Sequence, residues 1–266
     1  MNKKTINGLI DTHAHLSHLA ERGIDVQNYL TNLFANGFGK IIDIGNNSND
    51  LADRVKKLSH FKNIHFAAGI WPYSEAIIDR KKQIEILEKQ IIQTGQEKIV
   101  AIGECGFDRR ENPAAGNGEI ELFGMQLDLA RSLKKPIIVH TREAALDAVA
   151  ILKNYQDVIA IIHCFSYGPE DVKKFLDLNC YISFAGNLTF KNAPLLHESI
   201  KVVPHDRLLL ETDCPYLAPH PYRGQIAHPE MLIETYGKAA DMLCIDLEEL
   251  KEIVRQNTKN AFGIFD

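Results

Sequence analysis

Eight short segments rich in β-forming apolar residues recur along the chain, and they limit its fold more than any other feature does. Residues 137–139 and 158–162 are continuously apolar, which is typical of strands buried on both faces of a parallel sheet. The segments start about 22 to 37 residues apart, which leaves room for a crossover helix after each strand. The predicted strands are residues 8–15, 40–45, 64–70, 99–106, 136–141, 158–165, 181–186 and 208–214.

The sequence between these segments has the periodicity of amphipathic helices. Two stripes of apolar residues recur at helical spacing, and three residues stand where helices are expected to begin. The stripes are Ile120, Phe123, Leu127 and Ala130, and then Leu247, Leu250, Ile253 and Val254; the starting residues are Asn49, Ser74 and Pro169.

Eight strands that are each followed by a helix predict a TIM-type (β/α)8 barrel. An open, doubly wound sheet is the alternative, but the chain lacks the Gly-rich dinucleotide fingerprint that such folds often carry. No linker, low-complexity segment or internal repeat divides the sequence. Residues 1–266 are therefore expected to form a single domain.

The composition argues against several classes of protein. The 266 residues are 45% hydrophobic and 24% charged, as in ordinary globular domains, and no apolar run approaches the roughly 20 residues that span a bilayer. Five cysteines without a C-x-x-C pair argue against a disulfide scaffold. The net charge of −5 provides no overall basic field for non-specific nucleic-acid binding. Without a signal-peptide pattern, we expect a cytoplasmic location, with no membrane and no obligate protein partner.

Histidines and acidic residues stand at the carboxyl ends of five predicted strands. Active sites of (β/α)8 barrels form at those ends, so residues far apart in sequence would meet there. His13 and His15 are two positions apart in one strand and therefore project from the same face. Charged groups are rarely buried without partners or a metal, so we expect a metal site. The predicted ligands are His13, His15, Glu104, His140, His163 and Asp213.

Six candidate ligands are more than the three that one catalytic zinc ion usually takes from a protein. Their number suits two divalent ions that share a bridging ligand. Glu104 is the natural bridge because a carboxylate has two oxygens. Asp213 is expected to bind the first ion and to accept a hydrogen bond from the metal-bound water, which is the nucleophile. The expected histidine pairs are His13 with His15 on one ion and His140 with His163 on the other.

Seven short motifs include these ligands and follow one another along the chain. They are DTHAH at 11–15, GECGFD at 103–108, IVHTREA at 138–144, HCFS at 163–166, ETDCPYLAP at 211–219, RG at 223–224, and NT followed by AFG within 257–263. As a set they resemble the TatD family of metal-dependent deoxyribonucleases over essentially the whole chain. The resemblance implies a barrel fold, two divalent metal ions and hydrolysis of phosphodiester bonds in DNA. It also implies that the family's metal ligands are the six residues named above.

The sequence departs from the family pattern in segments that would face the substrate. After the third strand the family usually shows Gly-x-His-Pro-His, where this chain has Trp71, Pro72 and Tyr73. Trp71 and Tyr73 offer aromatic rings on which a nucleobase could stack. Arg142 and Arg223 stand at predicted barrel-mouth positions, and arginine holds phosphates through paired hydrogen bonds. We therefore expect Trp71, Arg142 and Arg223 to contact DNA or another phosphodiester substrate.

Two other functions fit the same residues. The main alternative is a metal-dependent amidohydrolase or esterase acting on a small molecule, because an amidohydrolase-like barrel with a His-x-His strand end supports that chemistry too. Such relatives often carry a carboxylated lysine on the fourth strand, where this chain has Glu104. A metal-binding scaffold without catalysis is the third interpretation, and the complete ligand set argues against it. The ligands suit Zn, Mn or Mg.

Overall fold

Eight parallel strands form one sheet in residues 5–112 and 116–264, the part of the chain that the computed structural model describes. Neighbouring strands in the sheet are also neighbours in sequence. A bridge between Ala14 and Cys214 joins the first strand to the segment after the last, so the sheet is nearly closed. The predicted (β/α)8 barrel is confirmed. The strands are β1 (Ile10–Ala14), β2 (Lys40–Ile44), β3 (Ile64–Ala68), β4 (Ile99–Asp108), β5 (Ile137–Arg142), β6 (Ala160–Ile162), β7 (Tyr181–Phe184) and β8 (Leu208–Leu210).

Helices follow the strands, as the spacing of the apolar segments predicts. The prediction of a single domain covers residues 1–266, and some of these lie outside the described ranges. For the whole chain it therefore stays a prediction. The α-helices of the described residues are α1 (Leu16–Glu21), α2 (Val26–Ala35), α3 (Leu51–Leu58), α4 (Ser74–Ile78), α5 (Arg80–Thr94), α6 (Gly116–Leu133), α7 (Ala145–Leu152), α8 (Pro169–Leu176), α9 (Pro194–Val202), α10 (Leu232–Leu243) and α11 (Leu247–Phe262).

The core includes the strands and the inward faces of the helices. Nearly every strand residue is buried, as expected for a parallel sheet covered on both faces. Phe107 of β4 and Phe123 of α6 illustrate this packing, because their rings meet edge to face with centroids 5.3 Å apart. Among the described helices, none combines the length and the apolar character that crossing a membrane requires.

β6 and β8 fall furthest short of the predicted strand lengths, which moves functional residues into the loops after them. Strands are predicted over 158–165 and 208–214, but β6 and β8 have only three residues each. Cys164 and Asp213 have φ values of 45° and 55°, a left-handed conformation that cannot continue a strand. His163 and Asp213 therefore project from turns at the mouth of the barrel.

The predicted helix starts are partly confirmed. Ser74 and Pro169 are the first residues of α4 and α8. The prediction for Asn49 is wrong by one position, because Asp50 is the residue that directly precedes α3. The Asp50 carboxylate accepts hydrogen bonds from two backbone N–H groups of the preceding turn, which fixes the helix start at this residue.

One residue of the predicted apolar stripe on α6 faces outward. Ile120 is 41% exposed, and Glu119 occupies the buried position in this turn instead. The Glu119 carboxylate accepts a hydrogen bond from the backbone N–H of Asp108 at 3.0 Å, so a polar contact with the end of β4 sets the inward face. The buried residues of the two predicted stripes are Phe123, Leu127, Ala130, Leu250 and Val254.

A buried ion pair ties the end of β2 to α3. Arg54 of α3 is 2% exposed, and its guanidinium donates to Asp43 at 2.9 Å and to Asp50 at 3.0 Å. It also donates to the carbonyl of Ala67 in β3 at 2.7 Å. The second oxygen of Asp43 accepts from the backbone N–H of Leu16, just after β1, at 3.1 Å. One arginine therefore links the carboxyl ends of three neighbouring strands.

Replacing Arg54 by methionine is expected to lower the free energy of unfolding by about 3–5 kcal/mol, because Asp43 would keep a buried charge without its partner. Urea unfolding followed by circular dichroism measures this loss. Lys57 on the same helix provides a matched control, since it pairs with Asp53 while the two side chains are 65% and 62% exposed. Lys57→Met should cost no more than about 1 kcal/mol. Equal losses in the two variants would show that burial of the Arg54 pair has no special role.

Candidate metal centre

The six predicted metal ligands lie together at the carboxyl end of the barrel, several of them lining a cavity of about 610 Å³. They belong to β1, β4 and β5 or to the residues just after β1, β6 and β8. The structure thus brings together residues that are far apart in sequence. The buried members are His13, His15, Glu104 and His163, and the partly exposed members are His140 and Asp213.

The carboxylate of Glu104 stands between two pairs of histidines. Its Oε2 atom is 3.5 Å from Nε2 of His13 and 3.4 Å from Nε2 of His15. Its Oε1 atom is 2.8 Å from Nδ1 of His140 and 2.8 Å from Nε2 of His163. Each oxygen therefore faces a different pair, which is the arrangement expected of a bridging ligand.

Asp213 adds a second carboxylate to one side of the centre. Its Oδ1 atom is 3.7 Å from Nε2 of His13 and 3.5 Å from Nε2 of His15. Three sets of donors have the spacing of a metal site, and the atoms within each set lie within 4.8 Å of one another. One of them joins His13 and His163 to Glu211, and the other two consist of predicted ligands. Of these two, the first is His13, His15 and Asp213, and the second is Glu104, His140 and His163.

The outer ring nitrogens of three histidines are held by hydrogen bonds, which leaves the inner nitrogens facing Glu104. Such outer contacts orient metal-binding imidazoles and fix which nitrogen is available. The bonds join Nδ1 of His15 to the Ile44 carbonyl (3.3 Å), Nε2 of His140 to Asp108 (2.9 Å) and Nδ1 of His163 to Glu211 (3.2 Å).

The donors fit divalent ions on chemical grounds. The inner nitrogens of His13 and His15 are 3.2 Å apart, and those of His140 and His163 are 3.1 Å apart. Imidazole nitrogens and carboxylate oxygens that converge in this way are the ligands that zinc and related divalent ions take in proteins. The cluster could therefore hold metal ions.

Both carboxylates of the centre are ionised at neutral pH. Burial alone would raise the pKa of Glu104, but the positive charge of His163 and a hydrogen bond from His13 hold that pKa well below its usual range. Burial likewise opposes ionisation of Asp213, but a hydrogen bond from His15 and nearby histidine charge lower its pKa. Against the effect of burial, the surrounding carboxylates also raise the pKa of His15 and His163, so a divalent cation in the centre would take over the positive charge that protons place on these rings.

Three further carboxylates support the centre, although their roles were not predicted from the sequence. Asp108 and Glu211 are the partners of the histidine rings described above. Asp11 accepts hydrogen bonds from the backbone N–H of Thr212 at 2.9 Å and from its hydroxyl at 2.6 Å, which joins β1 to the segment after β8. All three stand in the strand-end motifs, so a search of those motifs for partners of the ligands would have found them.

The predicted substrate-binding residues lie in different places. Trp71 and Arg142 line the cavity, and the Trp71 ring meets His140 edge to face with centroids 5.5 Å apart. Tyr73 instead packs against the hydrophobic core. Arg223 is exposed and is not among the residues that line the cavity. Its guanidinium lies 4.5 Å above the ring of Phe190.

Comparison with known sequences identifies relatives over almost the full length. The family model for TatD related DNase matches residues 10–263. The chain is 33% identical over 258 residues to the uncharacterized metal-dependent hydrolase YabD of Bacillus subtilis, which covers 96% of this chain and 99% of the relative. It is 27% identical over 264 residues to the uncharacterized metal-dependent hydrolase TatD of Mycobacterium tuberculosis, covering 96% and 98% of the two chains.

Solved structures share the barrel. The TatD homologue YjjV of Escherichia coli K12 has a TM-score of 0.84 at 24% identity, covering 98% of this chain and 100% of that protein. An uncharacterized amidohydrolase of Saccharomyces cerevisiae has a TM-score of 0.79 at 17% identity, covering 95% of this chain and 99% of that protein. These structures support the fold, whereas the family model and YabD establish the kinship that the motifs suggest. The chain therefore belongs to the TatD family of metal-dependent hydrolases.

Proposed function

We propose that this hydrolase is a deoxyribonuclease that cleaves phosphodiester bonds with two divalent ions. The position of Glu104 carries the proposal, because its two oxygens face different pairs of histidines. A ligand shared between two ions is typical of hydrolases that use a two-metal centre. The match to the TatD related DNase model supports DNA as the substrate.

The proposed ligands divide the centre into two halves that share Glu104. Divalent ions bound there would polarise a phosphoryl oxygen and lower the pKa of water towards neutrality. The side chain of Asp213 is 13% exposed and is ionised, so one of its carboxylate oxygens can accept a proton from the attacking water. One ion is proposed to bind His13, His15, Glu104 and Asp213, and the other to bind His140, His163 and Glu104.

Two arginines are proposed to hold phosphates at different distances from the centre. Arg142 is the only lysine or arginine among the described residues that line the cavity, and its guanidinium makes no hydrogen bond to another described residue. It is therefore available for a phosphate beside the centre. Arg223, outside the cavity, would contact a phosphate farther along the DNA strand. Trp71 would contact the nucleoside next to the cleaved bond.

A small-molecule ester or amide is the second candidate substrate. The cavity volume of about 610 Å³ supports it, because sites for small molecules usually measure about 300–1,000 Å³. The barrel is also compatible with it, since one fold supports many hydrolytic reactions.

Replacing Asp213 by asparagine is expected to slow cleavage of single-stranded DNA by about 10²–10⁴-fold, which is the usual contribution of a general base. Asparagine keeps the shape of the side chain but does not take up a proton at neutral pH, so binding of the strand should persist. Cleavage and retention of a labelled strand are measured in parallel on metal-loaded protein, with the exposed Asp53→Asn as the control. Cleavage by Asp213→Asn at the wild-type rate would exclude the base role. A wild type that neither binds nor cleaves DNA would favour the small-molecule alternative.

Arg142→Ala is expected to lower kcat/KM by about 10- to 150-fold on substrates of any length, because a hydrogen-bonded charge contributes about 1.5–3 kcal/mol. Arg223→Ala should lower it mainly for strands long enough to reach beyond the cavity. Kinetics on a dinucleotide and on a longer single strand, each at several salt concentrations, separate these effects. For the longer strand, the salt slope should fall by about 0.7 for each phosphate that the variant no longer neutralises. Equal reductions by Arg223→Ala on both substrates would contradict its position outside the cavity.

A further inference from the structure

One side of the cavity has a wall built from three loops. Asn46 follows β2, Trp71 follows β3 and Tyr216 follows β8, and all three side chains line the same cavity as the metal centre. The backbone carbonyl of Asn46 accepts a hydrogen bond from the backbone N–H of Trp71 at 3.0 Å. Two of the three loops are therefore joined directly.

His18 of α1 joins the third loop to this wall. Its Nε2 atom is 3.4 Å from Nδ2 of Asn46, and its Nδ1 atom is 3.1 Å from the hydroxyl oxygen of Tyr216. The ring also stacks on His15, with centroids 4.9 Å apart and planes 18° from parallel. His18 is thus fixed on one side by the metal centre and holds two wall residues on the other.

The hydrogen-bond roles in this wall follow from the single acceptor nitrogen of a neutral imidazole. Because Nδ2 of Asn46 is a donor, Nε2 of His18 accepts from it and Nδ1 carries the ring proton. The Nδ1–H group then donates to the oxygen of Tyr216. The phenolic proton of Tyr216 consequently remains available to a ligand in the cavity.

The carboxamide of Asn46 also keeps unused hydrogen-bonding capacity. One hydrogen of Nδ2 is directed to His18, and Oδ1 accepts one bond from the side chain of Asn47 at 2.8 Å. A carboxamide has two donor hydrogens and two acceptor lone pairs, so one donor and one acceptor remain. Asparagine uses such an adjacent pair when it binds the edge of a nucleobase.

We propose that Asn46, Trp71 and Tyr216 form a binding site for one nucleobase beside the metal centre, and that His18 is its positioning residue. The indole of Trp71 supplies a stacking surface, while Asn46 and Tyr216 supply hydrogen bonds to the base edge. The proposal rests on the proposed function, since a nucleotide substrate brings a base next to the phosphate that is cleaved. Base recognition is then a property of the loops after β2, β3 and β8, and the last of these loops also carries the metal ligand Asp213.

Trp71 is the only tryptophan of the chain, so its fluorescence reports on stacking independently of catalysis. The metal-loaded full-length protein is titrated with 2′-deoxyadenosine 5′-monophosphate and, separately, with 2-deoxyribose 5-phosphate, which lacks the base. The nucleotide should quench the fluorescence and bind about 5- to 150-fold more tightly than the sugar phosphate, as base stacking on aromatic side chains predicts. Equal affinities with no quenching would overturn the base site, whether or not the protein cleaves DNA.

Variants of the wall test the role of His18. His18→Phe keeps a ring against His15 but removes both hydrogen bonds, so the affinity ratio between nucleotide and sugar phosphate should fall towards one. Tyr216→Phe should lower the same ratio, and it serves the test if His18→Phe does not fold. Tyr155→Phe is the matched control, because its hydroxyl bonds to Asp128 on the exposed surface, and it should keep the wild-type ratio. A wild-type ratio in both His18→Phe and Tyr216→Phe would remove the positioning role.

Discussion

The buried carboxylate of Glu104 is the constraint on which the whole centre depends. A buried charge is tolerated only with partners, and each oxygen of Glu104 has two histidine nitrogens within 3.5 Å. A small shift of β4 would therefore disturb both halves of the centre together. The close approach of β3 and β4 requires glycine, since a Cβ on Gly69 would lie 2.4 Å from the Cα of Gly103. Gly103, which directly precedes the bridging ligand Glu104, is thus fixed by backbone packing.

The barrel ties metal binding to the strands more closely than it ties choice of substrate to them. Three of the six metal ligands lie on strands and the other three follow a strand within three residues. Their outer partners come from β2, β4 and the segment after β8. Side chains held by packed strands keep their geometry better than side chains on loops. Trp71 and Tyr216 of the cavity wall, in contrast, lie in the loops after β3 and β8, although Arg142 is the last residue of β5. Loop changes can therefore alter the substrate while the hydrolytic centre stays intact.

The metal ligands could be predicted from the sequence because parallel strands of a closed barrel all end at one face. His13 and Asp213 meet there whatever the intervening helices contain. Contacts that cross between loops leave no periodic signal, so those of His18 could not be predicted. The role of Arg54 could not be predicted either, because a charged residue on a polar helix is usually solvated. Only the fold shows that Arg54 is buried against β2. The direction of Arg223 depends on its contact with Phe190, which no local pattern specifies.

Anomalous X-ray scattering from crystals of manganese-loaded protein tests the shared role of Glu104 most directly. We expect two peaks about 3.5–4 Å apart, which is the usual separation in two-metal hydrolases. Each peak should lie at bonding distance from a different oxygen of Glu104, with the two histidine pairs on opposite sides. A single peak at full metal loading, or a second peak that does not contact Glu104, would contradict the bridging role.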